Sequence, residues 1–342
     1  MKIQLQSLRV INCGPLRDVC IHFATDGDSP VTVLAGANGS GKTTVLELIV
    51  GLAEMLPSFS ELPFSILPPV KPTLLRSKYV QMNWLVDQER FSLFYGLKPI
   101  DVDLSDNYYG RSGSVGDFAE EIKGSLVSKI REQIHWQETY EFVNPFSRSS
   151  SDLSDDKPQI QRIPSILFFP HTRFLQPVMG DQMHKEAVAY QWVYFYQVAN
   201  QFKGSLDSYL VWLDYVEPDA YVYAIQFLDS LDIDGKTFSI SRRDFKVVVT
   251  TPEGSKHFLE GMSSGEQNIL IMLLELRRRL LPYSIVLIDE IENSLHPAFQ
   301  RKLAEALKRM QKLIPFQLIV TTHALPMVET FGPASTRILT EF

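Results

Sequence analysis

A chain of 342 residues, 45% of them hydrophobic, is long enough to bury a sizeable core and is ordinary in composition for a globular protein. Its formal charge of −7 excludes nucleic-acid binding by overall charge, although a local basic groove remains compatible with it. Met1-Lys-Ile-Gln4 lacks the apolar core of a secretory leader. No apolar run reaches the roughly 20 residues of a membrane span, so a cytoplasmic protein with no membrane partner is expected.

In chain order, Ile3, Leu5, Leu8 and Val10 predict a first strand and Val19 to Phe23 a second, with Cys13-Gly-Pro15 as the turn between them. Cys13 and Cys20 do not form a metal-type pattern, and two buried thiols in a reducing compartment are expected. Pro30-Val-Thr-Val-Leu-Ala35 reads as a buried strand leading into a glycine loop and then a helix over Thr43 to Leu56. Residues 58 to 74, rich in proline and serine, read as a surface excursion. Val80 to Val86 and Phe91 to Leu97 alternate about Asp87-Gln-Glu-Arg90 and predict a hairpin. From about 101 to 163 clear periodicity is lost, and the polar stretch Ser147 to Asp156 is expected to stay mobile.

Ser165-Ile-Leu-Phe-Phe169 predicts another strand, ending at Pro170-His-Thr-Arg173. Residues 183 to 232 carry aromatics at helical spacing, among them Tyr190, Tyr194, Tyr196 and Phe202, a stripe expected to be core or interface. Phe238 to Ile240 and Phe245 to Thr250 predict a second hairpin, and Asn268 to Leu280 a long apolar helix. There is no internal repeat and no long heptad run, which excludes an extended coiled-coil arm.

Four segments carry chemistry. Gly36, Ala37, Asn38, Gly39, Ser40, Gly41, Lys42 and Thr43, followed by Thr44, fill the pattern of a phosphate loop between a strand and a helix. The glycines let the backbone curl so that N–H groups point at phosphate oxygens, and the helix adds its positive N-terminal end. Lys42 is placed to reach the β- and γ-phosphates of a nucleoside triphosphate and Thr43 to ligate Mg²⁺. Ser284-Ile-Val-Leu-Ile-Asp289-Glu290 is a buried strand ending in two carboxylates, which alternation points to opposite sides. Asp289 suits Mg²⁺ and Glu290 suits the general base that polarises water.

Gln317-Leu-Ile-Val-Thr-Thr-His323 is a further strand. Its histidine is either structural or a neutral imidazole that bonds the γ-phosphate or positions the water. In Ser263-Ser264-Gly265-Glu266-Gln267, Ser263 or Ser264 can cap the following helix, with Glu266 near the capping-box position. The same geometry can offer a hydroxyl and a glycine N–H to a phosphate. Arg277-Arg-Arg279 suits the negative end of that helix, or a DNA contact.

In this order the four segments resemble the ABC-type ATPase superfamily, strongly at both ends of the chain and weakly in the middle. Within it the chain is similar to the ATPase heads of the SMC, RecF and OLD group. The carrying residues are Leu8-Arg-Val-Ile-Asn-Cys-Gly-Pro-Leu16, the Ser-Ser-Gly-Glu-Gln signature, and Glu292-Asn-Ser-Leu-His-Pro297 after the acidic strand. The resemblance implies an α/β head with a mixed β-sheet core, an N-terminal antiparallel β subdomain and a helical signature lobe. It implies one head over 1–342, with lobe I about 1–100 and 281–342, an insert about 101–163 and the signature lobe about 164–280.

It also implies a homodimer, or a higher oligomer, in which Ser263, Ser264 and Gly265 of one chain reach the ATP γ-phosphate held by Lys42 of the other. The superfamily's γ-phosphate-sensing glutamine has no obvious counterpart, with Gln81 and Gln88 as candidates, and Phe23 stands near the position of an adenine-stacking aromatic.

The sequence ends at Phe342, soon after His323, where OLD proteins carry a Toprim nuclease. The expectation is an ATPase that powers or gates a separate protein. By analogy with ATPases of Septu, PARIS and retron-linked modules, that partner is a separately encoded nuclease or toxin in anti-phage defence, with DNA or a phage product as trigger. A DNA-repair ATPase of RecF type is the alternative, and a transporter's nucleotide-binding subunit a third.

Overall fold

A strand buried at every position must be covered on both faces, and Ser284–Ile288 (β13) shows how this chain does it. Ile285 and Leu287 enter one buried cluster, while Val286 and Ile288 enter a second cluster on the opposite face. The computed structural model describes residues 1–57, 71–114, 117–139, 162–173, 190–196, 206–230 and 232–339. In it β13 lies between Phe316–Thr322 (β14) and Ile166–Phe169 (β8). Val31–Ala35 (β3) follows β14, and Thr336–Ile338 (β15) and Val193–Phe195 (β9) form the two edges. All six strands are parallel, so the C-terminal ends of β3, β8, β13 and β14 open on the same side, where an open α/β sheet places its ligands.

The first face of this sheet is covered by the helix Lys42–Glu54 (α1) and a second six-stranded sheet. That sheet runs Leu16–His22 (β2), Ile3–Cys13 (β1), Tyr79–Val86 (β4), Glu89–Gly96 (β5), Asn107–Ser114 (β6) and Asp117–Lys123 (β7). Its pairs are antiparallel except β5 with β6. The register of β1 slips between Leu5 and Ser7. The Gln317 side chain meets the bulge there, accepting from the Leu5 N–H at 2.8 Å and donating to the Leu5 carbonyl at 2.9 Å. One amide thus sews β14 to the neighbouring sheet.

The second face is covered by Leu206–Val216 (α4), Pro218–Ser230 (α5), Ser264–Arg279 (α6), Pro297–Leu313 (α7) and Leu325–Phe331 (α8). A small antiparallel sheet joins them, made of Thr237–Ser241 (β10), Lys246–Thr250 (β11) and Lys256–Phe258 (β12). Among the described residues no helix is long and apolar enough to cross a membrane.

Several expectations change. The aperiodic stretch after 101 holds β6, β7 and the helix Ser125–Thr139 (α3). β6 pairs with β5, β7 forms the outer edge beside β6, and α3 packs on β6, an arrangement that leaves only a half-buried pattern to read. Tyr190 to Tyr196 are extended about β9 rather than helical, because the strand takes its place beside β8. Tyr190 and Trp192 are nonetheless buried, as a core stripe should be. Cys13 is buried but Cys20 is exposed, since alternation on β2 turns it outward. The proline-rich stretch 58–70, the polar run 147–156 and Phe202 lie outside the described residues.

Candidate active site

The loop between β3 and α1 brings its functional side chains to the open end of the parallel sheet. Gly41 is the N-cap of α1 with φ +92°, a backbone state that a residue with a Cβ adopts only with strain. Asn38 and Gly39 are exposed, while Ser40 is buried and Thr43 and Thr44 are partly buried. The Lys42 side chain curls back, its Nζ donating to the carbonyls of Gly36 and Ala37 at 2.8 Å each. Its ammonium is therefore fixed over the loop rather than left to swing in solvent.

Asp289 is the hub. It is fully buried and accepts from Thr43 Oγ1 at 3.0 Å and from Thr321 Oγ1 at 2.6 Å, and His171 Nδ1 lies 3.3 Å from its Oδ2. Four segments meet on one carboxylate: the phosphate loop, the end of β13, the end of β14 and the segment after β8. The Thr321 hydroxyl also accepts from the Glu290 N–H at 2.7 Å, so it fixes both acidic residues at once. β13 stops at Ile288, and Glu290 turns away in the left-handed region at φ 43°. Glu290 lies beyond the strand, so this backbone turn rather than strand alternation sets the direction of its side chain relative to Asp289.

Arg173 completes the frame from beneath. Its guanidinium donates to the carbonyls of Asp289 at 2.6 Å, Glu290 at 2.9 Å and Pro170 at 2.7 Å. Burial pulls its pKa down to about 10, against the pull of Asp289, Glu292 and Glu290, so it stays charged at neutral pH. His323 directly follows β14 and is half-exposed, with both its N–H and its ring Nδ1 on Glu292 Oε1, at 2.7 and 2.9 Å. A ring whose Nδ1 proton is given to a carboxylate keeps Nε2 as an acceptor while neutral. A neutral His323 can therefore orient a water, and donating to a phosphate oxygen would require the imidazolium.

The signature segment is built differently. Ser263 caps α6 in a complete capping box, with its N–H and Oγ both 2.9 Å from Glu266 Oε2. Lys236, just before β10, forms an ion pair with the same glutamate. Burial opposes ionisation of Glu266, but Lys236 and Ser263 outweigh it and hold its pKa below the usual carboxylate value. Ser263 and Ser264 are exposed while Gly265 is buried. A Cβ on Gly265 would lie 2.5 Å from the Ser294 carbonyl, so only glycine admits this approach.

Other candidates fall away from the site. Gln81 is buried in the antiparallel sheet, bonded to Tyr79, Asn83 and the Asp103 carbonyl. Gln88 sits in the β4–β5 turn beside the start of β1, whereas the phosphate loop packs at its far end against Pro15 and Leu16. Phe23 is buried in the core. Arg278 and Arg279 pair with Glu275, and Arg277 bonds the Tyr223 carbonyl, so this run is engaged inside the protein rather than offered to DNA. Sequence reading missed His171, Arg173, Glu292 and Thr321. A polar run directly after an apolar strand, as in Pro170-His-Thr-Arg173, was the available signal.

A phosphate loop facing an acidic strand end on a parallel sheet, with an antiparallel sheet on one side and a helical lobe on the other, defines an ABC-type phosphate-loop ATPase head. The chain belongs to the AAA-domain family described as "AAA domain, putative AbiEii toxin, Type IV TA system", which matches residues 31–326, and a second AAA-domain family matches residues 7–52. The family is one of ATPase domains.

A probable ATPase of retron Vc95 from Vibrio cholerae serotype O1 biovar El Tor is 29% identical over 121 residues, which is 32% of this chain and 23% of that protein. An SMC head bound to the C-terminal winged-helix domain of ScpA superposes with a TM-score of 0.51 at 14% identity, covering 95% of this chain and 91% of the other. The SMC head domain from Thermotoga maritima gives 0.47, also at 14% identity, over 96% and 92%.

Proposed function

We propose that this ATPase is a dimeric switch: ATP closes two copies about two nucleotides, hydrolysis releases them, and the cycle governs a separately encoded effector, a nuclease or toxin, in cytoplasmic defence against phage. The observation that carries the reading is the division of phosphate-binding groups. Lys42, Thr43 and Asp289 lie together at the C-terminal end of the parallel sheet with Glu290 next in the chain, whereas Ser263 and Ser264 are exposed at the start of a separate helix, with Ser263 bonded to Glu266. In this reading the exposed serines at this helix start would meet the γ-phosphate held by a second copy, with Ser263 exchanging its bond to Glu266 for one to the phosphate. A toxin-linked family and a retron-borne relative support a setting with a second component.

In this reading the loop N–H groups and Lys42 hold the β- and γ-phosphates. Thr43 and Asp289 suit Mg²⁺, because both offer hard oxygen donors and already lie 3.0 Å apart. Among the described residues no group of three or more His, Cys, Asp or Glu encloses a metal alone, so the remaining ligands would be water and phosphate. The ion would neutralise charge on the bridging phosphate oxygens. Glu290 takes the proton of the attacking water, and His323, held by Glu292, orients that water through Nε2.

Light scattering of Glu290→Gln with ATP tests the switch: a dimer is expected, and a monomer at every concentration sinks it. Purification with the protein encoded beside it tests the effector, and a free, uncomplexed ATPase counts against that part. ATP-dependent duplex binding with steep salt dependence would instead move the protein to DNA processing.

A further inference from the structure

The loop after β13 is strung between the nucleotide site and the signature helix. We infer that His171, Asn293 and Asn268 form a relay through which occupancy of the site around Asp289 sets the position of the chain's own Ser263, Ser264 and Gly265. The inference deepens the reading of a switch and rests on it for the consequence at the partner's nucleotide.

The links are consecutive. The His171 ring lies 3.3 Å from Asp289, the His171 carbonyl accepts from Asn293 Nδ2 at 2.8 Å, and the Asn293 carbonyl accepts from Asn268 Nδ2 at 3.1 Å. Asn268 stands one turn into α6, directly behind the signature residues. The next residue of the loop, Ser294, carries the carbonyl against which Gly265 packs. A shift of Asn293 and Ser294 is therefore felt by α6 both through a hydrogen bond and through a backbone contact.

Asp289 supplies the input. Its Oδ2 already serves Thr43 and the His171 ring. A cation or phosphate group entering the site competes for that oxygen, and the ring, half-exposed on the open side, is the partner freest to move. Ring and carbonyl belong to one residue, so a shift of the His171 backbone that follows the ring would reach Asn293.

The loop itself has the marks of a segment with two arrangements. Glu290 and Ser294, neither of them glycine, both have left-handed backbones, at φ 43° and 62°. Such residues are strained and cluster in switching segments. Buried Asn268 Oδ1 and Glu292 Oε2 have no hydrogen-bond partner, and in a settled structure nearly all such atoms are paired. A rearrangement of the loop that paired them would be favoured.

The test uses the full chain carrying Glu290→Gln, with Asn293→Ala, Asn268→Ala and His171→Ala added singly. A fluorescent ATP analogue reports nucleotide affinity, light scattering reports dimerisation, and hydrogen exchange over residues 263–268 is followed in dilute monomer with and without ATP. For Asn293→Ala and Asn268→Ala, affinity should stay within about twofold while dimerisation weakens about tenfold, a typical coupling. The ATP-induced change in exchange over 263–268 should vanish in all three and survive in His171→Gln, which keeps a side-chain donor. Unchanged dimerisation and exchange in both asparagine variants overturns the relay. Asn293 is only half-buried, so its variant decides the matter should Asn268→Ala fold poorly. If the parent variant stays monomeric, the dimer reading falls, and the exchange measurement still decides the relay.

Discussion

The two regions proposed to meet phosphate are held together by opposite means. At the nucleotide site, residues 43, 171, 289 and 321 come from four separate segments and converge on one buried carboxylate. At the signature, Ser263 and Glu266 are three residues apart and satisfy each other. The first arrangement exists only if the whole parallel sheet is assembled. The second needs little more than one turn of helix and the Lys236 ion pair. A site that must bind and cleave a nucleotide gains from rigid tethering, whereas one that must dock on another molecule can be locally capped and carried as a unit.

The largest effect that sharpens this contrast comes from Glu290→Gln. Its hydrogen bonds to the frame are made by its backbone, so folding should be untouched while phosphate release falls about a hundredfold or more. Ordinary turnover in this variant would remove Glu290 as the base. Thr321→Val comes next, because it strips a partner from Asp289 and from the Glu290 N–H together. A loss of about 2 kcal/mol in chemical denaturation is expected, with turnover impaired as well.

Glu275 probes the far end of α6, where it is buried between Arg278 and Arg279. Burial resists its charge, yet the two arginines outweigh burial and bring its pKa to about 2, below the ordinary 4.5. A depressed carboxylate adds stability that is complete above its unfolded pKa and is lost as pH falls toward 2. Denaturation midpoints should therefore decline between about pH 4.5 and 2, and Glu275→Gln should flatten that decline while costing about 3 kcal/mol at neutral pH. An unaltered pH profile in the variant would mean that other groups set it.

Ser263→Ala should give the smallest effect, about 1 kcal/mol for a lost cap, with hydrogen exchange faster only in the first turn of α6. If it destabilised the protein as much as Thr321→Val, the contrast between a local and a tertiary site would be broken.

The strands β1, β3, β4, β5, β8, β13 and β14 and the helix α6 were all legible, because their apolar periods are strong and turn residues bound them. The phosphate loop, the acidic pair and the capping box were legible for a related reason: each is written in a short window. His171, Arg173, Glu292 and Thr321 were not. Nothing near Arg173 in the chain says that its guanidinium will lie under the carbonyls of residues 289 and 290, since that meeting depends on β8 pairing with β13. The aromatic run at 190–196 misled for the same reason, because its spacing permitted a helix and its place beside β8 required a strand.

The sequence by itself determined that a phosphate loop, a capped serine-glycine segment and an acidic strand end exist here, because each rests on dihedral preferences and hydrogen bonds among near neighbours. Only the tertiary structure decided what surrounds the acidic pair. A buried carboxylate must find its partners wherever the sheet brings them, and the order of strands, which no local window records, placed Thr43, Thr321 and His171 about Asp289.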